Sequence, residues 1–164
     1  MKFELVRQDA LSGYKAGIYS VRIEDAPETL LERFLQENHL KYEAEITDIL
    51  LTIKQMGHAT GARETFFKQR EGKPGDGVEA LYDLPGKSLR LYCIRNGRVA
   101  VIVGGGGPKT TRTWQDDPKL SAENRLIQRV SRVLTKALIE EDIYWSPGGT
   151  ELLGTLTFDT DDYR

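Results

Sequence analysis

Six cations crowd a short part of this chain. Lys87, Arg90, Arg95, Arg98, Lys109 and Arg112 lie within or beside two apolar runs, 88–95 and 98–103, and next to four consecutive glycines, 104–107. Guanidinium and ammonium groups gathered on one strand pair attract polyanions. Arg90 and Tyr92 are two apart, so on a strand they share a face. That sets a fork matched to phosphate oxygens beside a phenol. A ribose–phosphate backbone is the first candidate ligand. Metal chemistry is not expected, because His39, His58 and Cys93 fall short of the four ligands that structural zinc needs.

The glycine run invites a phosphate-loop reading and fails it. Pro108 separates Gly107 from Lys109, so the Gly-Lys-Ser/Thr ending is missing. Lys109 also stands where the dinucleotide pattern needs its third glycine. The run reads instead as a connection from a strand to a helix. Of the aromatics able to stack on bases (Trp114, Tyr82, Tyr92, Tyr144 and Trp145), Tyr92 and then Tyr82 are expected to face a ligand. Arg125, Arg129, Arg132 and Lys136 follow at i, i+4, i+7 and i+11, which is one side of a helix: either a solvated face or a partner contact. Asp116 and Asp117 suit helix capping better than paired acid–base work.

Several elements must position these groups. Short strands are expected over 1–8 and 17–24 around a Gly13 turn. Asp25-Ala26-Pro27-Glu28 looks like a helix start, and Leu30, Leu31, Phe34 and Leu35 give that helix an apolar face. A second helix covers about 41–56, with Gly57 as its stop. After a less regular stretch with a possible strand at 64–68 and a loop at 71–77, three strands at about 78–84, 88–95 and 98–104 form an antiparallel meander. Asn96-Gly97 is a type I′ hairpin signal within it. Asp117-Pro118 caps a last long helix, whose buried face is Leu126, Ile127, Val130, Val133, Leu134, Ala137 and Leu138.

At 164 residues, 39% hydrophobic and 29% charged, the chain suits one folded domain with its own core. The expected division is a single α+β domain over 1–145 and an acidic tail over 146–164 that holds one short strand, 152–158. A net charge of −2 hides an asymmetry: residues 60–136 carry fifteen cations against eight acids, and 137–164 one against seven. The acidic 140–162 segment has two possible places, over the basic face or out in solvent. No apolar run reaches signal-peptide or membrane-span length, so a cytoplasmic protein with no membrane contact is expected.

The order strand, two helices, antiparallel meander, cationic loop, helix resembles the RelE/ParE superfamily of toxins from bacterial toxin–antitoxin modules, above all its HigB-like, phage-derived branch. Glu32-Arg33-Phe34-Leu35, Ala80-Leu81-Tyr82-Asp83-Leu84, Leu89-Arg90-Leu91-Tyr92, Val101-Ile102-Val103 and Pro108-Lys109-Thr110-Thr111-Arg112-Thr113 carry the resemblance, which spans roughly 17–136. It implies a RelE-like fold: an antiparallel β-meander with two N-terminal helices and a C-terminal helix. It also implies a ribosome-dependent mRNA endonuclease that uses no metal or other cofactor and is neutralised by an antitoxin protein. By motif match Arg90 would clamp the scissile phosphate, with Tyr92 beside it, while Lys109 and Arg112 would neutralise the transition state or bind flanking phosphates. Lys87, Tyr82, Arg95, Arg125 and Arg129 would bind flanking RNA. The alternative is a non-catalytic binding protein on the same fold, either a gyrase-directed toxin of the ParE type or a relative that binds only its partner protein. The acidic 140–162 segment would then be a built-in antitoxin mimic if it lies over the basic face.

Overall fold

Alternating burial sets the first strands. In β1 (Lys2–Arg7), Phe3 and Leu5 are buried while Lys2 and Arg7 face solvent. β2 (Gly17–Ile23) is buried from Gly17 through Val21 and pairs antiparallel with β1, Leu5 opposite Val21. The computed structural model describes residues 1–69, 71–72, 77–81 and 85–164.

α1 (Leu30–Asn38) starts later than the Asp25–Pro27 signal because Thr29 caps it better. The Thr29 hydroxyl accepts from the Glu32 N–H and the Glu32 carboxylate accepts from the Thr29 N–H, closing a capping box. α2 (Glu43–Gln55) buries Ile46, Ile49 and Ile53. Gly57 does not stop it. The chain winds on through a π-helical turn, Met56–Thr60, and ends at Gly61, which takes φ +74° and donates to the Met56 carbonyl.

β3 (Phe67–Lys68), β4 (Val78–Leu81), β5 (Leu89–Asn96) and β6 (Ala100–Pro108) follow, and β4, β5 and β6 each pair antiparallel with the strand before. The expected meander therefore forms, with two differences. Asn96 pairs with Ala100 across three residues, and of the Asn96-Gly97 pair only Gly97 has a positive φ, so the turn is not type I′. The extra residue lets the Val99 carbonyl accept from Gly17 N–H, tying the turn to the start of β2. The four glycines, expected as a loop, are strand: β6 runs through them to Pro108.

α3 (Pro118–Ile139) is capped by Asp117 as expected, with proline in its first turn. The 146–164 segment carries two strands rather than one. β8 (Leu152–Gly154) pairs with β7 (Ile143–Trp145) in a separate hairpin, and β9 (Thr157–Asp159) adds to β1. The main sheet runs β3-β4-β5-β6-β2-β1-β9. It is mixed, because β2 lies parallel to β6, with Ile18 opposite Val101. α1 and α2 pack Leu31, Phe34, Ile49 and Ile53 with Ile18, Leu91 and Val101 in one core. α3 packs Ile127, Val130 and Leu134 with Val21, Tyr92 and Ile102 in the other. Among the described residues this is an α+β fold with three α-helices, none long and apolar enough to cross a membrane.

Candidate functional site

α3 decides what the sheet can offer. A helix with Ile127, Val130, Leu134 and Ala137 on one stripe must bury that stripe, and it does so on the β5 face that carries Arg90 and Tyr92. Arg90 is 6% exposed and Tyr92 0%. Around them lie Glu71 and two polar residues of α3: Asn124 donates from Nδ2 to the Glu71 carbonyl at 2.7 Å, and Gln128 donates from Nε2 to Asn124 Oδ1. The Tyr92 hydroxyl is buried with no hydrogen-bond partner in good geometry, beside Arg90 and Asn124. Burial pushes its pKa up to about 12 against the opposing pull of the Arg90 guanidinium. Arg90 and Tyr92 do share a face, but it is an interior one.

The glycines serve packing. Leu91 pairs with Gly106 and Cys93 with Val103, so Gly104 and Gly105 together oppose Tyr92 in a β-bulge. A Cβ on Gly105 would lie 2.0 Å from Glu123 Oε2, and one on Gly106 would lie 1.9 Å from the Arg90 carbonyl oxygen. The missing side chain at Gly105 admits an ion pair between Arg33 of α1 and Glu123 of α3, which Lys119 joins at 2.9 Å. Glu123 is 5% exposed, so this is a structural charge cluster, not a phosphate loop.

An open cationic site lies on the other side of α3. Arg125, Arg129 and Arg132, all exposed, line a recess of about 500 Å³ with Gly72, Trp114, Gln115 and Gln128. The described lining residues include no carboxylate. Lys136, the fourth member of the row, is instead turned to the Tyr163 carbonyl, to which its Nζ donates at 2.9 Å. Trp114 is set by the turn before α3. Asp117 accepts from Leu120 N–H at 3.0 Å as the helix cap, and it also accepts from the backbone and hydroxyl of Thr110. Burial alone would raise the Asp117 pKa, but these hydrogen bonds outweigh it and hold the carboxyl below its ordinary range.

The remaining sequence candidates scatter. Arg95 forks onto the Glu79 carboxylate, donates to the Ala62 and Gly97 carbonyls at 3.2 and 3.0 Å, and stacks 4.9 Å from the Phe67 ring. It is a structural arginine. Lys87 is half-buried before β5, and half-buried Lys109 follows β6 with its N–H on the Ser88 carbonyl. Arg112 is exposed in the loop that leads to Trp114. Tyr82 lies outside the described residues. The acidic segment does not line the recess: Asp161 pairs with Arg164, and Asp142 accepts from the Tyr163 hydroxyl at 2.6 Å. Of the candidates, the structure brings Arg125 and Arg129 together in the open, and Arg90 and Tyr92 together in the core. The i, i+4, i+7 row announced the arginines. No sequence signal announced Trp114 as their companion, because its place depends on Asp117 catching Thr110.

Among the described residues no group of three His, Cys, Asp or Glu side chains is placed to hold a metal ion. No family model, no curated protein and no solved structure matches the chain.

Proposed function

We propose that this protein is a toxin-like RNA-binding protein of the RelE/ParE kind, and that it grips RNA through the recess of Arg125, Arg129, Arg132 and Trp114. The carrying observation is the convergence of exposed Arg125, Arg129 and Arg132 with the Trp114 indole on one recess. Arginines supply the phosphate contacts that dominate nucleic-acid affinity, and an aromatic platform adds stacking. The element order β2, α1, α2, β4–β5–β6, α3 is the order the resemblance implies and supports the kinship. An antitoxin protein and ribosome-bound mRNA are the partners that follow from it.

The burial of Arg90 and Tyr92 favours the non-catalytic form of this reading. Cleavage of mRNA by that pair would require α3 to leave the sheet, since a clamp on a scissile phosphate must touch it.

The test is binding of a labelled single-stranded RNA, by fluorescence anisotropy across a salt series. Changing Arg125, Arg129 and Arg132 together to alanine is expected to weaken binding and flatten the slope of log K against log salt by about 2. An unchanged slope in the triple variant removes the RNA reading. RNA cleavage by the wild type that Arg90→Ala abolishes, with the fold intact, would instead restore the nuclease.

A further inference from the structure

A second cavity lies against the C-terminal half of α3 and shares no lining residue with the arginine recess. Where the ends of β5 and β6, the last turns of α3 and the β7–β8 hairpin meet, they leave a space of about 220 Å³. Ile94, Ile102, Leu134, Leu138, Ile143 and Trp145 form its apolar walls. An apolar cavity of roughly 150 Å³ stays dry and takes a benzene-sized solute. This one has room for a substituted or bicyclic ring, and is too short for an acyl chain.

Its polar margin is selective. Arg95 borders the cavity, but its guanidinium is turned to the other face of the sheet, onto Glu79, the Ala62 and Gly97 carbonyls and the Phe67 ring, so its charge is matched away from the cavity. An anionic ligand gains nothing there. Half-buried Asn96 also lines the cavity, and its carboxamide makes no hydrogen bond to another described residue. It offers both a donor and an acceptor to a neutral polar atom. Exposed Thr135 completes the margin, with its hydroxyl donating to the Ser131 carbonyl at 2.9 Å.

We propose that this cavity is a binding site for a small neutral aromatic molecule, its ring between Trp145 and the α3 leucines and its one polar atom on Asn96. A few convergent polar groups on an apolar cleft are what such sites carry. The site stands whether or not the arginine recess binds RNA, because the two use different residues of α3.

Indole is the probe, with benzoate as its charged counterpart, followed by nuclear magnetic resonance on the isotopically labelled protein. Indole is expected to shift the Trp145 ring N–H and the Asn96 side-chain amide saturably at or below about 1 mM, and benzoate to leave them in place. Asn96→Ala is expected to weaken indole about five-fold through the lost hydrogen bond. Thr135→Phe, a change at an exposed position, should fill the mouth and abolish binding with the melting temperature held or raised. Thr135→Leu serves the same purpose with a smaller group. The proposal fails if indole moves no resonance at about 1 mM, or if both Thr135 variants bind it as the wild type does. It fails as well if a tryptophan-bearing peptide binds where free indole does not, which would give the cavity to a protein partner.

Discussion

Arg33 of α1 and Glu123 of α3 form an ion pair over the backbone of Gly105, joining two helices whose residues lie 90 positions apart. The carboxylate is buried and the guanidinium one-third exposed, with Lys119 on the same carboxylate at 2.9 Å. A pair like this ties the start of α3 to α1 more than a surface pair does. Replacing Arg33 by alanine leaves Glu123 with Lys119 alone and is expected to cost about 1–3 kcal/mol in urea unfolding. A double-mutant cycle with Glu123→Gln should return a coupling of about 0.5–3 kcal/mol. Additive single variants would mean that the contact is incidental.

Arg90 and Tyr92 give predictions of opposite sign for stability and no change for binding. The Tyr92 hydroxyl is buried beside Arg90 and Asn124 without a well-aligned hydrogen bond among the described residues, so Tyr92→Phe removes a desolvated polar group at little loss of packing. Its stability is expected to stay level or rise by about 1 kcal/mol, with RNA affinity unchanged. Arg90→Ala is expected to destabilise without touching the salt dependence of binding. A fall in RNA affinity for Tyr92→Phe, at full stability, would place the tyrosine at the site after all.

Asp117 makes acid stability specific. Its folded pKa lies below the ordinary value, so the unfolded chain takes up its proton first as pH falls. The stabilisation is complete above about pH 3.9 and is lost as pH drops from there through the folded value. Asp117→Asn, a neutral isostere, should therefore be less stable than the wild type at pH 7, and the gap should close on acidification. Thermal melts at both ends of that range decide it: a gap independent of pH would show that the charge plays no part.

Much of the architecture was legible because it rests on local chemistry. Asp117-Pro118 marked the start of α3, and the spacing of Ile127, Val130 and Leu134 marked its buried face. The Thr29–Glu32 box was equally local, and the Asp25–Pro27 signal simply stood in front of it. The glycine strand was not legible, since glycines carry no pattern. Its pairing with β5 and the close approach of Glu123 and Arg33 are tertiary facts. Arg90 misled for a related reason: arginine is usually exposed, and only the seating of α3 on that face of β5 buries it. Arg95 joined the basic cluster on paper and left it in space, because the β4–β5 register delivers Glu79 to its fork. The α3 arginines kept their place because the helix period alone fixes which side they share.

The parallel seam between β2 and β6 also orders events in time. Ser20 donates its hydroxyl to the Val103 carbonyl across 83 positions, and everything from α1 to β5 lies between. Hairpins of the meander can zip locally within microseconds, but β2, synthesised early, must wait for its neighbour. Until they meet, β6 presents a bare, mostly aliphatic rim, the kind of edge on which unfinished chains stick to one another. A change that slows the closure of that long loop is therefore expected to raise aggregation even where the finished fold is no weaker.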